Sequence, residues 1–281
     1  MDIAVHTASG NIFEKLGAEN AIRLMKKAGY SCLDVSLYRK GLEMFSGDGW
    51  REKAAELKAF AQHEGVRFTQ AHAPFPSNIE GDAEATERIF GDIVHAIEVA
   101  GALGAKCIVV HPMQFSKGVD FESENFKFYK RLLPYAKKAE VKVATENIWA
   151  FDKKRQHYIP SVFSYAEELK AFARKINDPY MVVCLDLGHS AVTGREPEDE
   201  IRILGEDLYA LHVHDTDYKN DLHTLPYQGD QNWEKICCAL KDIGYKGEFT
   251  FEIGMSVPDE LFGTLLKYIY EVGLYLTSKC E

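Results

Sequence analysis

Short runs rich in Val, Ile, Phe, Cys and Ala recur along the 281-residue chain, at residues 2–7, 32–37, 66–72, 106–111, 141–148, 181–187, 208–214 and 248–253. Their apolar character is continuous rather than strictly alternating, which suits strands buried on both faces of a parallel sheet. Between them lie stretches with helical spacing of apolar residues. These are residues 18–28, 50–63, 84–103, 122–138, 164–176, 196–204, 233–243 and 258–276. Gly29-Tyr30, Gly104-Ala105 and Gly244-Tyr245 each follow such a stretch, and glycine past the last helical residue is an ordinary stop signal. Eight strand–helix units with no Gly-rich turn after the first strand predict one closed (β/α)8 TIM barrel, α/β in class, spanning residues 1–281 as a single domain.

Composition agrees with this reading and narrows the partners. Hydrophobic residues make up 46% of the chain, enough for a sizeable core, and the 9 prolines are scattered. A net charge of −10 argues against a broad nucleic-acid surface. Six cysteines form no C-x-x-C pair, and Cys32, Cys107 and Cys184 sit within apolar runs as buried thiols would. That usage, with no basic leader and no long apolar stretch, predicts a reduced, cytoplasmic protein without a membrane segment.

The chemistry gathers at one end of each strand. The closing residues, in order, are His6, Asp34 to Ser36, Gln70 to His72, His111, Glu146-Asn147, Asp186 with His189, His212 with His214 and Asp215, and Glu252. Parallel strands bring all of these to one mouth. One glutamate or histidine at a strand end is usually structural. So many ionisable groups in one cleft need a compensating charge, because burying each one alone costs several kcal/mol. One divalent metal ion is the simplest compensator. Three carboxylates and an imidazole, Glu146, Asp186, Glu252 and His212, suit Mn, Mg, Co or Zn.

Seven fragments in order carry a family resemblance: His72-Ala73-Pro74, Val109-Val110-His111-Pro112, Glu146-Asn147, Cys184 to His189, Ala210 to Asp215, Asp221-Leu222-His223 and Phe251-Glu252-Ile253. The chain resembles the xylose isomerase-like barrel superfamily, which holds sugar and sugar-phosphate isomerases and epimerases, inosose-processing enzymes and endonuclease IV. The resemblance implies a metal site of Glu146, Asp186, His212 and Glu252, with Glu146 and Glu252 as the catalytic bases. It also implies that His72, His111, His189, Asp221 and His223 contact substrate or further metal ions. The segment Pro226-Tyr227-Gln228-Gly229 departs by one glycine from the Pro-Gly-x-Gly usual in the sugar-phosphate group. Asp215 to Lys219 lacks the arginine that ketose 3-epimerases usually carry.

These readings predict a metal-dependent isomerase or epimerase acting on a small sugar, sugar phosphate or cyclic polyol through an enediolate. A dehydratase could share that intermediate. A multi-metal abasic-site nuclease of the endonuclease IV kind is the alternative, disfavoured because the strand-to-helix connections read as short and only Lys153, Lys154 and Arg155 form a basic run. A catalytically silent sugar-binding barrel is the third reading. Trp149 and Phe151 are expected as an apolar substrate wall, with the basic run after them either solvated or gripping a phosphate. The apolar last helix offers a face for the barrel base or for a second copy in a homo-oligomer.

Overall fold

Period-two side-chain alternation along eight parallel strands builds the site as well as the barrel. The computed structural model describes residues 1–116 and 118–280. Its strands are β1 (Ile3–His6), β2 (Cys32–Ser36), β3 (Arg67–His72), β4 (Cys107–Val109), β5 (Lys142–Glu146), β6 (Trp149–Asp152), β7 (His157–Pro160), β8 (Met181–Asp186), β9 (Leu208–Val213) and β10 (Phe249–Phe251). All but β6 and β7 close into one parallel barrel in the order β1-β10-β9-β8-β5-β4-β3-β2. The helices are α1 (Ile12–Leu16), α2 (Ala18–Ala28), α3 (Lys40–Glu43), α4 (Trp50–His63), α5 (Ala83–Leu103), α6 (Phe121–Ala139), α7 (Ala166–Ile176), α8 (Leu187–Val192), α9 (Pro197–Leu204), α10 (Trp233–Asp242) and α11 (Phe262–Cys280).

Two apolar layers result. The large one lies between the strands and the helices, where Leu33, Val143, Val183, Leu185, Leu211 and Phe251 meet helix residues such as Ile22, Ile97, Leu132 and Ile236. The small one fills the barrel axis with Cys107, Val109, Ala144, Cys184 and Ala210. Side chains two apart on a strand share a face. Glu146 follows Ala144, Asp186 follows Cys184, and His212 follows Ala210, so the residues that plug the axis with small groups also aim the polar ones at the mouth. Asp82, Asp120 and Asn232 start α5, α6 and α10 by accepting a backbone N–H three residues on, which satisfies one of the unpaired donors of each first turn.

Two features differ from the sequence expectation. The connections at 73–82, 110–120, 147–165 and 214–232 are long, beyond the two to six residues common in α/β units, so short loops no longer argue against any activity. The connection after β5 also holds the antiparallel hairpin β6–β7, in which Trp149 pairs with Pro160 and Asp152 with His157. Asp152 Oδ1 accepts the amides of Lys154 and Arg155, so the basic run becomes the exposed tip of that hairpin. Among the described residues no helix is long and apolar enough to cross a membrane. The last helix starts at Phe262 after a short 3-10 turn, and it exposes Tyr268, Leu274 and Tyr275.

Leu185 on β8 is fully buried in the outer layer. Leu185→Ala leaves a cavity there and is expected to lower unfolding stability by about 2–5 kcal/mol, read from urea denaturation.

Candidate metal centre

The middle of the mouth is held by His212. Its Nδ1 faces three carboxylates, at 2.7 Å from Glu146 Oε1, 3.1 Å from Glu252 Oε2 and 3.9 Å from Asp186 Oδ2. One ligand-type atom from each of the four residues lies within 4.8 Å of the others. The far side of the ring is clamped from below. Its Nε2 is 2.9 Å from Gln70 Nε2 and 3.5 Å from Asp34 Oδ2, and Gln70 Nε2 donates to Asp34 at 2.8 Å. Carboxylates that orient a ligand histidine from behind are a recurrent feature of metal sites.

Two further groups flank this one. His72, His111 and Glu146 form the first, with His72 Nε2 at 3.1 Å from His111 Nε2 and His111 Nε2 at 2.9 Å from Glu146 Oε2. His189, Asp221 and His223 form the second, with both Nε2 atoms facing Asp221 Oδ2 at 3.6 and 3.4 Å. The backbone sets these rings. His72 Nδ1 donates to Ala73 O at 2.9 Å, His189 Nδ1 to Asn147 O at 2.8 Å, and His223 Nδ1 to Glu252 O at 2.9 Å. A ring nitrogen that donates to a carbonyl fixes the neutral tautomer, leaving the other nitrogen as an acceptor aimed into the cleft.

Asp221 Oδ1 is buried and lacks any hydrogen-bond partner, and buried Glu146 Oε2 meets only the imidazoles of His111 and His72, at 2.9 and 3.8 Å. Unsatisfied anionic oxygens among converging imidazoles are what a divalent cation neutralises, and the donor set of carboxylate and imidazole fits such an ion. Histidines alone perform part of this task. Burial would push the Glu146 carboxyl up, but the charge of His212 and hydrogen bonds from His111, His212 and His72 hold it well below the usual range. Burial likewise opposes a charge on His212, which neighbouring groups including Glu146 and Glu252 overcome, raising it well above an ordinary histidine. For Asp221 burial is outweighed by His189 and His223, which hold it far down, and His223 in turn rises to about 9.

Residues that the sequence places at the mouth without assigning them a role complete the site. Asp34 and Gln70 stood at strand ends but gave no signal distinguishing a ring clamp from core polarity. His214 Nε2 is 3.0 Å from Asp186 Oδ1, and its ring stacks on His223 with centroids 3.9 Å apart. Gly188 is required beneath it, because a Cβ there would overlap the His214 ring. Asp215 is fully buried and organises the loop that carries Asp221 and His223. Its Oδ1 accepts the amides of Thr216 and Gln231, and its Oδ2 accepts Tyr227 N at 2.9 Å and Trp233 Nε1 at 2.8 Å. Asp186 doubles as the N-cap of α8, accepting His189 N at 2.7 Å, which fixes the spacing between the two.

A cavity of about 300 Å³ stands over this floor, lined by Phe75, Asn78, Gln114 and Trp149 together with His72, His111, Glu146, His189, Asp221, His223 and Glu252. Among the described residues no lysine or arginine lines it. Trp149 donates through Nε1 to Asp221 Oδ2 at 3.0 Å and so is tied to the floor. Phe151, expected beside it, shares that face of β6 but lies one step further along the hairpin, where it packs on Tyr158, is 41% exposed and does not line the cavity.

The xylose isomerase-like TIM barrel family model matches residues 22–272. The chain belongs to that family. It is 24% identical over 244 residues to L-ribulose-5-phosphate 3-epimerase of Salmonella paratyphi A, covering 83% of this chain and 80% of that one. It is 24% identical over 190 residues to an uncharacterized protein of Methanocaldococcus jannaschii, of whose length the match covers 62%. Among solved structures, D-psicose 3-epimerase of Clostridium cellulolyticum H10 with D-tagatose superposes with a TM-score of 0.77 at 17% identity, covering 98% of this chain and 99% of that one. D-allulose 3-epimerase from Methylomonas sp. in complex with D-allulose gives 0.74 at 19%, covering 100% and 97%.

The titrations fix a pH dependence. The raised His223 contributes stability that is complete below about pH 6.5 and is lost as pH rises through about 9. The depressed Asp221 and Glu146 contribute stability present above about pH 4 and lost as pH falls. Metal-free protein should therefore melt highest between about pH 4 and 6.5. Metal binding displaces histidine protons and should tighten with rising pH in calorimetric titrations; a flat profile would contradict this. Separately, Asp215→Asn turns one acceptor into a donor that faces N–H groups. A melting-temperature drop equivalent to roughly 1–3 kcal/mol is expected.

Proposed function

We propose that the protein is a divalent-metal-dependent isomerase or epimerase of a small sugar or polyol. The carrying observation is the convergence of Glu146 and Glu252 on His212 Nδ1, at 2.7 and 3.1 Å, on the floor of a cavity that no lysine or arginine lines among the described residues. The epimerase activities named for the relatives support the same class.

A cation held by Glu146, Asp186, His212 and Glu252 would polarise a carbonyl and its neighbouring hydroxyl and acidify the C–H between them. The chain supplies the rest. Glu146 and Glu252, both held ionised, are the bases that take a proton from carbon and return it through an enediolate. His189 and His72, with Nδ1 fixed by carbonyls, present Nε2 to substrate hydroxyls. Trp149 and Phe75 cover apolar sugar faces and exclude water.

A second reading rests on the two flanking ligand groups. Three metal ions could be held, as in an abasic-site nuclease. Against it stands the lack of cationic side chains for phosphates among the described residues that line the cavity.

Glu146→Gln should abolish exchange of substrate C–H with solvent deuterium, followed by NMR across a panel of ketoses and inososes. Exchange retained in that variant removes Glu146 as the base. Metal analysis of purified protein is expected to give close to one ion per chain. Three ions, together with nicking of an abasic oligonucleotide, would establish the nuclease instead.

A further inference from the structure

The mouth of the barrel holds a second cavity that the reaction does not use. It also measures about 300 Å³ and lies over the ends of β1 and β2, lined by Thr7, Ala8, Phe13, Ser36, Tyr38 and Met44 among others. Its base is made by Val35 and Phe45, both buried. The two cavities share a wall. Tyr38, which lines the second, stacks face to face on Phe75, which lines the first, with ring centroids 4.4 Å apart and planes within 14°. Phe75 in turn stacks on His111 at 4.9 Å.

The lining sets the chemistry of an occupant. Phe13, Tyr38, Met44, Phe45 and Val35 offer aromatic and thioether surface, which favours flat apolar rings. One positive charge is left on the lining. Lys40 is paired with Glu14, and the Arg39 guanidinium lies 4.7 Å over the Tyr38 ring. A pocket of this size, mostly apolar with a few polar groups, is the usual form of a small-molecule site. Its position, one aromatic pair away from the metal centre on the catalytic face, makes it a continuation of the substrate site.

We infer that this cavity is a subsite for a planar apolar substituent that the substrate carries away from its reacting carbonyl and neighbouring hydroxyl, so that the substrate is larger than a free monosaccharide. This rests on the sugar reading above, and its test is built to fail separately. The methyl resonance of isotopically labelled Met44 reports on the cavity directly. Para-nitrophenol alone and para-nitrophenyl glucoside should both shift it saturably. Methyl glucoside and inorganic phosphate should not, and the aromatic glucoside should bind roughly tenfold or more tighter than methyl glucoside. Ala8→Trp, at an exposed position that fills the cavity, and Phe13→Ala, which removes a wall, should abolish the shift while metal content stays unchanged. No response of Met44 to either aromatic, an equal response in Ala8→Trp, or saturation by phosphate instead overturns the subsite. If para-nitrophenol shifts Met44 but no sugar undergoes solvent exchange, the subsite stands and the isomerase reading falls.

Discussion

Carboxylates and histidines, all buried or half-buried, meet in one cleft, and the fold must hold them there against their own desolvation. That constraint governs the catalytic face. Glu146 is almost fully buried yet ionised, because His212 and His111 stand against its two oxygens. Removing either partner would leave an uncompensated charge, so the cluster stands as a unit. A divalent cation could replace the protons of the histidines without disturbing the frame, since the backbone carbonyls already orient three of the rings.

The barrel achieves this through its inner layer. Small residues such as Ala144, Cys184 and Ala210 fill the axis, and the next inward position on each strand carries the polar group. Loops complete what strands begin. Asp221 and His223 lie on the long connection after β9, whose path is set by four donors converging on Asp215 and by a Gly229 position where any Cβ would meet that carboxylate. Trp149 reaches the same floor from the hairpin after β5.

Much of this was legible in the sequence. The eight strands stand out because parallel-barrel strands are apolar on both faces, and α2 and α4 begin and end at the residues that spacing and glycine stops indicate. The strand-end residues Glu146, Asp186, His212 and Glu252 follow once all strands point one way. Other parts were hidden for physical reasons. Asp34 and Gln70 act through the back of an imidazole, and no local pattern marks a contact between residues 36 or 142 positions apart. The hairpin was missed although Trp149 to Asp152 and His157 to Pro160 flank a polar turn, because the four residues of each arm are too short beside the run at 141–148 to read as strands of their own. Phe151 was read as a wall beside Trp149, and it does share that face of β6, but the hairpin carries it outward beyond the cavity.

The account turns on whether the clustered side chains close on a metal. Soaking a crystal in manganese at pH 8 and recording anomalous scattering tests this directly. The account predicts a peak within about 2 Å of Glu146, Asp186, His212 Nδ1 and Glu252. No peak there, with His212 still hydrogen-bonded to Glu146, would contradict it.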